Sequence, residues 1–193
     1  VREGNTSLSN FPGGTISVGQ AGGGTEALAR AMLAQLGVSQ ESVKWRHESL
    51  QAGLDGLRSG KSTAVCVATG IGNAVVAEAL SKGDLSLLPL GEVPGASLAY
   101  DYPFVETTTI PPKVYATAPG KGLPARSLPT VGTRVVLACR AELNDADALA
   151  LTRTVIEGRA ALTRKHPLLA RLAPPNDSTD LQFPLHEGAR QYY

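Results

Sequence analysis

From residue 15 to residue 90 the apolar positions alternate between a two-residue and a helical period. Thr15-Ile16-Ser17-Val18-Gly19 predicts a short strand between Pro12-Gly13-Gly14 and a glycine loop. Residues 26–36 predict a helix, with Leu28, Met32 and Leu36 at i, i+4, i+8 and Ala31 on the same side, stopped by Gly37. Val43-Lys44-Trp45-Arg46 predicts a second strand. Leu50, Leu54 and Leu57 mark a short helix ending at Ser59-Gly60. The continuous apolar run over residues 63–68 suits a strand buried on both faces. A helix is expected over 72–80, with Val75, Val76, Ala79 and Leu80 inward, and a strand over 85–90. Strands alternating with helices argue for an α/β layer structure: a mainly parallel sheet with helices on both faces.

Beyond residue 94 the texture changes. Residues 94–129 are rich in Pro and Gly and predict extended chain, turns and an edge ribbon. Thr133-Arg134-Val135-Val136-Leu137-Ala138-Cys139 predicts a strong strand. Asn144 is placed to cap a helix, with Asp145 and Asp147 in a first turn whose positive end favours them. That helix runs through Leu149, Thr152 and Ile156. Further helical stretches are expected over 160–166 and from Pro167 onward, ending at Pro174-Pro175.

With 193 residues and 42% apolar side chains, the chain can bury a core. Its 18 basic and 17 acidic residues leave a net charge of +1, so no basic face for nucleic acid is implied. No apolar run approaches the roughly 20 residues of a membrane helix, and no signal peptide is visible. The opening Val1-Arg2-Glu3-Gly4 reads as an excised fragment. Cys66 and Cys139 sit in strand-like runs and read as small buried apolar residues, although spacing does not exclude a disulfide. Three scattered histidines, His47, His166 and His186, offer neither a metal set nor a catalytic pairing, so no cofactor, metal or catalytic residue is expected.

The strongest chemical signal is Gly19-Gln20-Ala21-Gly22-Gly23-Gly24-Thr25, which follows a strand and opens a helix. Such a loop leaves backbone N–H groups unpaired where the helix dipole is positive, and Thr25 adds a hydroxyl. A carboxylate or phosphate is stabilised there. Thr69-Gly70-Ile71-Gly72-Asn73 repeats the arrangement after the buried strand. In an open parallel sheet ligands gather at the carboxyl ends of strands, so both loops would line one rim. The candidate ligand-binding residues are therefore Gly22, Gly23, Gly24, Thr25, Thr69, Gly70 and Asn73. Gly19-x-Ala21-x-x-Gly24, with Glu48 near the end of the next strand, also permits a dinucleotide-binding enzyme, although Ala21 would intrude where a pyrophosphate approaches the backbone.

These motifs resemble the TAXI family of TRAP-transporter solute receptors. The glycine loop is similar to that family's G-x-G-S-G-T stretch, with Gly23 in the place of Ser. Ser9-Asn10-Phe11-Pro12-Gly13-Gly14-Thr15-Ile16-Ser17-Val18-Gly19 is similar to its D-L-K-G-K-x-I-x-V-G run. Tyr102-Pro103-Phe104 and Ile110-Pro111-Pro112-Lys113-Val114-Tyr115 resemble Y-P-x-Y and I-P-x-x-x-Y. Thr130-Val131-Gly132-Thr133 resembles the hinge strand. Pro184-Leu185-His186-Glu187-Gly188-Ala189-Arg190-Gln191-Tyr192-Tyr193 resembles the closing P-L-H-x-G-A-x-x-Y-Y, the most specific of the set.

The resemblance implies a periplasmic-binding-protein type 2-like fold, with ligand-binding lobe two over residues 1–130. Residues 131–193 would supply a hinge strand and the C-terminal helices of an incomplete lobe one. It implies a non-enzymatic, extracytoplasmic receptor, membrane-anchored in a longer parent, that binds a small anionic solute such as an organic acid or acidic amino acid. The solute would pass to a TRAP-type membrane permease. A ligand-sensing regulatory domain is the alternative from another class. With lobe one incomplete, Leu149, Ile156 and Leu168 should be covered by helix packing or by a second copy in a homodimer.

Overall fold

Alternation sets how β1 (Thr15–Ser17) is buried: Ile16 faces one side and Ser17 the other, and both are enclosed. β1 is the middle strand of a three-stranded parallel sheet, between β2 (Lys44–Arg46) and β3 (Ala64–Val65). Ile16 pairs with Trp45 on one side and Ala64 on the other. Parallel neighbours need crossovers, supplied by α1 (Gly24–Gln35) and α2 (Leu50–Arg58). Ala29 and Leu33 of α1 pack with Ile16, Val18, Val43 and Ala64 on one face. On the other face α2 lies close because Gly53 has no side chain: a Cβ there would sit 2.5 Å from Ser17 Oγ. Leu54 and Leu57 continue this second core with Val76, Ala79 and Leu80 of α3 (Ala74–Ser81) and with Tyr115. The expected mixed α/β architecture, a parallel sheet with helices on both faces, is what forms.

This computed structural model describes residues 1–4, 13–90, 92–118, 121–174 and 184–193. Residues 9–12 of the sequence resemblance and residues 175–183 lie outside the described residues. The chain divides into two compact units, Val1–Arg134 and Val135–Tyr193.

The first unit continues through α4 (Glu92–Asp101), β4 (Val105–Ile110), β5 (Tyr115–Ala118), β6 (Lys121–Leu123) and β7 (Leu128–Thr133). β4 pairs antiparallel with β7, and β5 with β6. α4 packs on α1, where Gln35 Oε1 accepts from Ser97 Oγ at 2.8 Å and Leu98 is fully buried.

In the second unit Asn144 caps α5 (Asp145–Glu157) as expected, its Oδ1 accepting the Asp147 N–H at 2.8 Å. α6 (Arg159–Lys165) and a 3-10 turn (Pro167–Arg171) follow. α7 (Glu187–Tyr192) packs on α5. His186 links the two: its Nδ1 accepts the Gly188 N–H at 3.1 Å, which leaves Nε2 to donate to the Leu143 carbonyl at 2.9 Å. Leu149 and Ile156 are half-buried, and the Leu168 side chain lies outside the described residues.

Several sequence expectations are corrected. α1 turns Ala29 and Leu33 inward rather than Leu28 and Met32, which are half-buried. The helix is apolar over most of its surface, so its period does not fix the buried stripe. Val75 is exposed, because α3 begins only at Ala74 and packs through Val76, Ala79 and Leu80. The strand expected over 63–68 shrinks to two residues, and that over 85–90 to one bridge between Leu85 and Arg2. A helix, α4, occupies the start of the Pro/Gly-rich stretch; Pro94 falls in its first turn, where the missing N–H costs nothing. The strand expected over 133–139 ends at Thr133. Val135, Val136 and Leu137 have no strand partner among the described residues and are exposed, as is Cys139. Both cysteines are free thiols.

Candidate functional site

The carboxyl ends of β1 and β3 open on a depression of about 260 Å³ lined by Ser17, Gly19, Thr25, Leu50, Val65, Cys66, Val67, Ala68 and Thr69. Its position follows from topology. In a parallel sheet every strand leaves at the same edge, and each must turn there into its crossover. Gly19 makes the turn after β1 with φ +79°, and Gly22 turns again with φ +71° before α1 begins. Both are left-handed conformations that a side chain would strain.

The two glycine loops are joined directly. Thr25 Oγ1 accepts the Ala68 N–H at 3.4 Å. On the other loop Asn73 Oδ1 caps α3, accepting from Val75 N at 2.9 Å and Val76 N at 3.2 Å, while its Nδ2 donates to Thr69 Oγ1 at 2.9 Å. Thr25 and Thr69 therefore line the depression from opposite loops. Gly22, Gly23, Gly24, Gly70 and Asn73 stand outside its lining. Asn73 orients Thr69, and the Gly70 carbonyl accepts the Asn73 N–H at 3.1 Å.

The N–H groups of the first loop are not all open. The Gly23 N–H donates to the Gln20 carbonyl at 3.0 Å, and the Gly22 N–H to Glu26 Oε2 at 2.8 Å. The helix start at Gly24 and Thr25 remains, and a Cβ at Gly24 would meet nothing within 4 Å. The space on the Cβ side of Gly24 is open.

Glu26 organises this corner, and sequence reasoning missed it. Its Oε1 accepts from Arg30 Nε at 2.9 Å and Nη2 at 2.6 Å, and lies 3.1 Å from His47 Nε2. The Arg30 guanidinium, then the Gly22 N–H, then His47 hold the carboxyl down at about 2. Arg30 also lies 4.2 Å from the centre of the Trp45 ring. The i, i+4 spacing of Glu26 and Arg30 was legible in the sequence; the approach of His47 was not.

Glu48 is engaged in the same way. Arg46 reaches its two carboxylate oxygens at 3.2 and 2.8 Å and lowers its pKa, and the Ser17 hydroxyl beside it acts in the same direction. Burial pushes the Cys66 thiol up to about 11, so the wall it forms is uncharged. Among the described residues no Lys, Arg, Asp or Glu side chain lines the depression, and no group of His, Cys, Asp and Glu is placed to hold a metal ion. The arrangement is suited to holding a small molecule: hydroxyls on two walls, apolar side chains elsewhere, and a helix start at the rim.

The NMT1-like family profile matches residues 2–193. No curated protein matches the chain.

Proposed function

Because this chain belongs to the NMT1-like family, a periplasmic-binding-protein-like family, we propose that it is the solute-binding component of a TRAP-type transport system of the TAXI kind. The solute is a small carboxylic acid. It is captured outside the cytoplasm and handed to a membrane permease without covalent chemistry. The observation that carries this reading is the depression between the glycine loops at the carboxyl ends of β1 and β3. The carboxylate rests against the open N–H groups at Gly24 and Thr25, where the helix dipole favours negative charge by roughly 0.3–1 kcal/mol when exposed. Thr25 and Thr69 supply hydroxyls from the two loops.

The dinucleotide-enzyme reading is less well supported. It needs Glu48 free to accept from a ribose, and Arg46 already holds that carboxylate.

Calorimetric titration of a panel of organic acids and amino acids into wild type, Gly24→Val and Thr25→Ala tests the proposal. Gly24→Val places methyls in open space on the approach to the helix start, so the fold is kept while the carboxylate is blocked. A cognate acid whose affinity neither change reduces would show that the loop is only a turn.

A further inference from the structure

The lining of the depression narrows the ligand class. Its walls are Leu50, Val65, Val67 and Ala68, the uncharged thiol of Cys66, and the hydroxyls of Ser17, Thr25 and Thr69. The charged side chains tied to these walls are carboxylates with their own arginines: Glu48 beside Ser17, paired with Arg46, and Glu26 next to Thr25 in sequence, paired with Arg30. No cationic side chain lines the depression among the described residues. We propose that the depression takes the uncharged, apolar end of a monocarboxylic acid, so that the protein selects short aliphatic monocarboxylates over dicarboxylates of the same length.

The proposal rests on the carboxylic-acid reading above and excludes acidic amino acids from it. A second carboxylate entering the depression would give up part of its water and meet no cationic side chain among the lining residues. Burying an ion without a partner is among the most unfavourable steps in binding. A methylene chain entering the same space gains instead. Each buried CH2 is worth about a fourfold rise in affinity, until the volume is filled.

The experiment titrates four probes into the wild-type protein by calorimetry: propanoate, pentanoate, glutarate and pentan-1-ol. Pentanoate is expected to bind at least about tenfold tighter than glutarate and tighter than propanoate. Val67→Lys puts a cation on a wall residue that is already 42% exposed, and it should reverse the order of pentanoate and glutarate. Glutarate binding as well as or better than pentanoate in the wild type overturns the inference and leaves the carboxylic-acid reading standing. Pentan-1-ol binding as well as pentanoate overturns the carboxylate anchor and leaves the apolar depression standing. No binding of any probe overturns both. The wild-type series decides even if Val67→Lys fails to fold.

Discussion

Thr25 Oγ1 accepts the Ala68 N–H at 3.4 Å, across 43 residues of sequence, and this contact joins the loop after β1 to the loop after β3. Both residues line the depression. The bond is long, so its loss should sit toward the low end of the usual 0.5–1.5 kcal/mol for a hydrogen bond. Thr25→Val removes the acceptor while keeping the shape, and should lower stability by about 0.5 kcal/mol. Thr25→Ser keeps the hydroxyl and should stay closer to wild type. Urea unfolding of the three proteins checks the order; equal midpoints for Thr25→Val and wild type would mean that the loops are not held together here.

Acid should loosen the corner around Glu26. Its carboxyl is held at about 2 in the folded chain, chiefly by Arg30, against an ordinary value of 4.5. The folded group therefore binds its proton less readily than the unfolded one. Its stabilising contribution is complete above the unfolded value and is lost as pH falls from about 4.5 to about 2. Glu48 and Asp84 are shifted in the same direction, held by Arg46 and Arg58 respectively, and add to the same loss. Urea midpoints measured from pH 6 to pH 2 should fall over that window. Glu26→Gln should lower the midpoint at neutral pH and flatten the slope. A slope unchanged by Glu26→Gln would remove Glu26 from this account.

What the sequence made legible was local. β1, α1, α2 and the Asn144 cap follow from period and capping residues within a few positions. The rest depended on partners far away in the chain. Residues 133–139 have strong strand propensity, but a strand needs a neighbouring edge, and none among the described residues pairs with them beyond Thr133. The α1 stripe was not fixed by its period, because apolar residues lie on several sides of that helix and Leu28 and Met32 are half-buried beside the inward Ala29 and Leu33. Pro94 and Gly95 concealed α4, since their helix-breaking signal applies to interiors and not to first turns. At the site, the two glycine loops were visible as motifs. The meeting of Thr25 with Ala68, the hold of Glu26 on Gly22, and the apolar walls were not, because they arise only when β1 and β3 are side by side.

The two thiols should differ sharply in reactivity. Cys139 is exposed, whereas Cys66 packs against the core and burial raises its thiol to about 11. The thiolate is the reactive form, so Cys66 should react slowly at pH 8. A disulfide-exchange reagent such as dithionitrobenzoate should titrate one thiol quickly and the second, half-buried in the depression, far more slowly. Cys139→Ser should remove the fast phase. Two fast thiols in the native protein would contradict the raised thiol of Cys66. A proposed ligand filling the depression should slow Cys66 further, because the same thiol lines it.

Two glycines should answer oppositely to the same change. Gly188 lies where α7 crosses α5, and a Cβ there would fall on the Asp145 carbonyl oxygen and within 2.8 Å of the Ala148 side chain. Neither neighbour can yield easily: one is helix backbone, and Ala148 is the buried residue of α5. Alanine has the better helix propensity by about 1 kcal/mol, but forcing an extra carbon into a closed contact costs about 1–3 kcal/mol, and contact with backbone belongs at the upper end. Gly188→Ala should therefore destabilise the second unit by about 2 kcal/mol and separate α7 from α5. At Gly24 a Cβ meets nothing within 4 Å, and the residue begins a helix, so Gly24→Ala should be neutral or slightly stabilising. Thermal melts followed by circular dichroism, together with protease sensitivity between α6 and α7, read both effects. If Gly188→Ala melts with wild type, α7 does not close on α5 as described. If Gly24→Ala loses stability, the space before α1 is occupied in the folded protein, and the open approach on which the carboxylate site depends is absent.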